Sequence, residues 1–85
     1  MSLASTVRYL QEGNWEKAHA NVQDDESPLG CWAHGIVHML EGDLQNARYW
    51  YGKAHRAFPE DVNAQTEILA FQRAVGSPKT SIIGR

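Results

Sequence analysis

Apolar residues recur along this chain at helical spacing, and no stretch alternates in the manner of a β-strand. Leu3, Val7 and Leu10 fall at i, i+4 and i+7, one face of a helix that Gly13 can end in the left-handed conformation. Asn14 then caps a second helix, whose stripe is Trp15, Ala18, His19 and Val22. Ser27-Pro28 opens a third, because a serine satisfies free N–H groups and a proline at the first helical position loses no hydrogen bond. It is predicted to run to about Glu41, where Gly42 stops it and Asp43 caps the next. Leu44, Ala47, Tyr51, Ala54 and Phe58 form the fourth stripe, which Pro59 closes. Glu60 and Asp61 give an acidic first turn to a fifth helix carrying Ala64, Ile68, Phe71 and Val75, with Gly76-Ser77-Pro78 as its stop. Residues 77–85 lack a helical period and are expected to form a loose tail.

The predicted fold is all-α: about five helices, successive neighbours antiparallel, in one domain over residues 1–85, organised around the hairpin Pro28–Pro59. Tyr49, Trp50 and Tyr51 are consecutive, so their rings leave the fourth helix about 100° apart. A second face must therefore be covered, and the fifth helix is the candidate cover. The acidic run between Gln23 and Glu26 reads as a solvated connection.

Composition narrows the function. Apolar residues make up 42% and charged residues 21%, enough for a packed core. Eight basic and ten acidic side chains give a net charge of -2 with no basic run, which argues against nucleic acid as a partner. No apolar stretch approaches the roughly 18 to 20 residues that cross a bilayer, so no membrane role is expected. The lone Cys31 has no intrachain partner for a disulfide, and a cytoplasmic location is the expectation.

Gly35, Gly42, Ala47, Tyr51, Ala54 and Pro59 give the central hairpin a pattern that resembles the tetratricopeptide repeat. In that pattern small residues sit where the paired helices approach, a large one where they diverge, and a proline breaks the chain before the next unit. The resemblance implies a short right-handed superhelix of helical hairpins, with the fifth helix as the cap of the array. Where the repeat has Trp, Leu and Tyr in its first helix, this chain has Cys31, His34 and His38. The run from His34 through Tyr51, H-x3-H-x2-E-G-D-x2-N-A-x-Y-W-Y, also looks like the signature of a group of small helical proteins.

Three constellations carry candidate chemistry. Cys31, His34 and His38 share one side of the third helix, with Glu41 a turn further on, and thiolate and imidazole at such spacing can hold zinc, a fourth ligand coming from Glu41 or from His19 or His55, the remaining histidines. Without metal, His34, His38, Glu41, Asn46 and Tyr49 form a polar cluster between the third and fourth helices. Trp32, Ile36 and Met39 lie on the adjoining face, which lines the inner groove in the repeats this hairpin resembles. Such an apolar groove takes an amphipathic helix of its own chain or of a partner, or closes a dimer. Arg48, Lys53 and Arg56 make a basic outer side on the fourth helix. The sequence thus points to a non-enzymatic protein–protein interaction or self-assembly module without a cofactor, its partner a protein, a peptide or a second copy of itself. The alternative is a metal-binding protein using Cys31, His34 and His38.

Overall fold

Ser27 Oγ accepts the Gly30 N–H at 3.0 Å, Pro28 takes the first helical position, and α3 (Pro28–Glu41) follows. This helix is the axis of the molecule, since every residue from Gly30 to Met39 is buried. A helix covered all round must be packed all round, and four others supply the cover: α1 (Leu3–Gln11), α2 (Trp15–Val22), α4 (Leu44–Lys53) and α5 (Ala64–Ser81). The computed structural model describes the backbone of residues 2–81 and the side chains of residues 2–76. Among the described residues the architecture is all-α, five helices with helical-hairpin packing and no strand, as the periodicity predicts. No helix among them is long and apolar enough to cross a membrane.

Three helix ends share one device. At Gly42 (φ 92°) the Asp43 N–H reaches the His38 carbonyl at 2.9 Å and the Gly42 N–H reaches Met39, closing α3 in a Schellman turn. Gly13 (φ 75°) ends α1 in the same way. The third case departs from expectation: α4 does not continue to Phe58 but stops at Lys53, with His55 in the left-handed region at φ 61°. Arg56 N–H to Tyr51 O at 3.0 Å and His55 N–H to Gly52 O at 3.1 Å complete the turn. A histidine there tolerates a conformation that glycine adopts without steric cost, and the gained hydrogen bonds hold it.

The fifth helix also differs. It begins at Ala64 rather than in the acidic turn, because Asn63 supplies the cap through its Oδ1 to the Thr66 N–H at 3.2 Å. It passes through Gly76-Ser77-Pro78 to Ser81, so residues 77–81 belong to a helix and not to the expected tail. A proline removes one backbone donor, which can bend a helix without ending it. The rest of the expected tail, residues 82–85, lies outside the described residues. Most consequential is where α5 lies: it packs on α1 and α3 rather than on the preceding α4. It therefore crosses the molecule and joins last element to first. Its link to α4 is through side chains, with Tyr51 Oη donating to Glu67 Oε1 at 2.6 Å.

The α3–α4 hairpin is fitted around one ring. A Cβ added at Gly35 would stand 2.5 Å from Cδ1 and 2.7 Å from Cε1 of Tyr51, and 3.3 Å from the Ala47 carbonyl oxygen. Tyr51 thus fills the notch at Gly35, instead of occupying a place where the helices part. Burial first, and then the Glu67 carboxylate, push its hydroxyl far above the usual range, so it stays a donor.

Candidate metal centre

The Trp32, Ile36 and Met39 face is not an open groove. Trp32 is 2% exposed, Ile36 0% and Met39 6%, all within the single chain. Over the Trp32 indole lie the Phe71 ring, edge-on at 5.3 Å, and the Arg56 guanidinium, 3.4 Å from the ring centroid. Trp32 Nε1 donates to Glu67 Oε1 at 3.3 Å, the same oxygen that accepts from Tyr51. The amphipathic helix that this face was expected to take is α5. Apolar burial of the indole and an aromatic pair of about 0.5–1.5 kcal/mol account for the docking of α5, and the Arg56 cation–π contact covers the ring from the segment after α4.

The basic side expected on α4 is likewise engaged with rings, although Arg56 lies beyond the end of the helix at Lys53. Arg48 lies over Phe58 at 4.5 Å, Lys53 over Trp50 at 5.0 Å, and Arg56 over Trp32. The consecutive aromatics part as their spacing requires, but α5 is not what covers Trp50. Its indole stacks on the His34 imidazole, centroids 3.8 Å apart and planes 7° from parallel, while Tyr49 stays 59% exposed.

The polar cluster expected between α3 and α4 is divided. Asn46 is tied to Asp43, whose Oδ1 accepts the Asn46 N–H at 3.2 Å as a helix cap. Asn46 and Tyr49 line a shallow outer cleft with Asp43 and Gln45, separate in character from the buried histidines. His38 and Glu41 do meet: Nδ1 to Oε1 is 2.7 Å. Asp43 stands close to that pair, so His38, Glu41 and Asp43 offer ligand atoms within 4.8 Å of one another, although both carboxylates are exposed.

Cys31 does not join the histidines in one ligand set. Its Sγ is directed to the Asp25 carbonyl at 4.0 Å. Burial, opposed by Lys53 and reinforced by Asp25 and Glu26, raises its thiol above the ordinary range. A metal ligand must be thiolate, so this cysteine is poorly suited to the task.

His19 of α2 takes that place. Because α2 packs on α3, its half-buried imidazole comes to 4.7 Å from the His34 ring and 5.6 Å from the His38 ring, centroid to centroid. His34 and His38 are 5.1 Å apart. One ring nitrogen from each of the three lies within 4.8 Å of those of the others. Tetrahedral zinc with Zn–N of about 2.0–2.1 Å sets its nitrogens roughly 3.3 Å apart, a closure within reach of side-chain torsions. Two further observations fit a metal. His34 Nδ1 is buried without a hydrogen-bond partner among the described residues, and His38 Nδ1 is held by Glu41, which leaves Nε2 to ligate. His34 is also kept neutral, the form that ligates: burial first, then His19, His38 and Lys53, bring it down from 6.5 to about 4, against an opposing contact with the Val22 backbone.

Comparison with protein-family models, curated proteins and solved structures finds no match to this chain.

Proposed function

We propose that this protein is a helical metal-binding module, with His19, His34 and His38 as the ligands of a zinc-class transition metal ion. The observation that carries this reading is the grouping of three imidazoles from two helices, a ring nitrogen of each within 4.8 Å of the others, with His34 Nδ1 buried and without a hydrogen-bond partner among the described residues. A buried polar atom left without a partner costs about 1–3 kcal/mol, and a metal ion turns that deficit into a bond. Glu41 supports the site by fixing the tautomer and orientation of His38. Neutral imidazoles suit zinc, copper, nickel or iron, so selection among these rests on geometry and supply. Interaction with a partner or a second copy, the other function the sequence suggests, would need a face other than that of Trp32, Ile36 and Met39, which is buried within the chain.

The test is metal analysis of protein equilibrated with zinc and desalted, with thermal unfolding measured beside it. One equivalent of zinc is expected, and free zinc at about 100 times the Kd adds roughly 2.7 kcal/mol to stability. His19→Gln, on the half-exposed ligand, abolishes binding while leaving helix content intact; Cys31→Ser binds as the wild type does. Absence of stoichiometric metal overturns the reading, as does binding that depends on Cys31 and not on His19.

A further inference from the structure

We infer that the metal held by His19, His34 and His38 keeps a coordination position for a small anion taken from solution. This rests on the metal-binding reading above and adds to it the class of ligand the centre accepts.

The ligand inventory comes first. Zinc-class ions take four or more ligands, and a site with three from the protein leaves at least one to an outside molecule. Among the described residues no fourth His, Cys, Asp or Glu joins the three histidines. Residues 77–85 contain none of these four types. The neighbouring candidates are engaged elsewhere: Glu41 with His38 Nδ1 at 2.7 Å, Asp43 as the cap of α4 through the Asn46 N–H, and Cys31 toward the Asp25 carbonyl.

Charge then selects the class. Three neutral imidazoles cancel none of the ion's double positive charge, whereas carboxylate or thiolate ligands would. Lys53 adds to the positive field, since it is one of the charges that disfavour protonation of His34. Glu41 and Asp43, each with a carboxylate oxygen within 4.8 Å of a His38 ring nitrogen, offset two units, against three from the ion and Lys53 together. The remaining positive charge draws a monodentate anion or hydroxide.

Access and size follow from burial. His34 and His38 are buried while His19 is half-buried, so His19, on α2, is the ligand most open to solvent. Trp50, stacked flat on His34, covers one face of that ring, and with two of the three ligands buried an entrant of only a few atoms fits.

Cobalt(II) is the probe, because its visible d–d bands report the coordination sphere. The full chain is loaded with cobalt(II) and titrated with sodium azide, alongside Glu41→Gln. A saturable band shift at one azide per cobalt in both proteins is the expected result, reached at lower azide in Glu41→Gln, where the carboxylate charge beside His38 is gone. If cobalt binds stoichiometrically and azide leaves the spectrum unmoved, the inference fails while the metal-binding reading stands. An azide response seen only in Glu41→Gln overturns it too, by showing that Glu41 swings in as the fourth ligand. Failure to bind cobalt or zinc at all removes the metal-binding reading and the inference together.

Discussion

Two glycine-to-alanine substitutions on the facing helices of the central hairpin should move stability in opposite directions. Within a helix the added methyl group contributes about 0.5–1 kcal/mol, because glycine loses more backbone freedom on folding. At Gly52 nothing lies within 4 Å of the new Cβ, so Gly52→Ala receives that gain undiminished. At Gly35 the new Cβ meets the Tyr51 ring at 2.5 and 2.7 Å, where carbon atoms need about 3.5–4.0 Å. The ring has no free direction: it is 1% exposed, and its hydroxyl is held by Glu67 at 2.6 Å. Either the hairpin opens by about 1 Å or that hydrogen bond yields, so overpacking should reach about 3 kcal/mol, the upper part of its usual range. The net for Gly35→Ala is a loss of about 2 kcal/mol, and the two variants differ by about 3. Melting followed by circular dichroism reads this directly, at roughly 4–8 °C per kcal/mol for a domain of this size. Adding Tyr51→Leu to Gly35→Ala should recover part of the loss, a coupling expected of residues in contact. A Gly35→Ala protein as stable as the wild type would refute the reasoning, since the notch would then have room to spare.

Glu67→Ala leaves both the Tyr51 hydroxyl and the Trp32 indole N–H without their acceptor, and should cost about 2–4 kcal/mol by denaturant midpoint. Tyr51→Phe removes one bond and should cost about 1; equal losses would mean that the 3.3 Å indole contact contributes nothing. Metal-free protein should lose stability as pH falls through the interval from 6.5 to about 4. His34 stays neutral in the fold down to about 4, while the unfolded chain takes up its proton near 6.5, so in that window the unfolded state holds more protons and is favoured by acid. Urea midpoints in chelator at about pH 7.5 and about pH 5 should therefore separate less for His34→Gln than for the wild type; an equal separation would show that His34 is not the group responsible.

Capping chemistry is local, and so the helices were largely legible. Ser27, Asn14 and Asp43 each accept the backbone N–H their position implies, and Gly13 and Gly42 turn left-handed as their lack of a side chain permits. His55 escaped because a histidine carries no sign that it will occupy a glycine's conformation. Asn63 was passed over for Glu60 and Asp61, although an asparagine before Ala64 is itself a capping signal. Packing partners were less legible, since a stripe says which face is apolar and not what will lie on it. Phe71 and Trp32 are 39 positions apart, and only the crossing of α5 makes them neighbours. The same limit applies to the metal centre. Reading along one helix pairs His34 with Cys31, whereas the third imidazole comes from α2, at a separation that has no helical meaning. The sequence offers His19 and His55 equally as a further ligand, and only the packing of α2 on α3 selects His19.

The crossing of α5 also bears on how the chain reaches this state. Gln11 and Gln72 are hydrogen-bonded at 3.0 Å, so the first helix meets the last. Stacked repeats can zip up from any nucleus, each unit propping only its neighbour. Here α5 must return past α4 to α3 before Trp32 is sealed and reach α1 as well, and closing such long loops is slow compared with forming a hairpin. Refolding should accordingly be a single all-or-none event whose rate is set by that encounter.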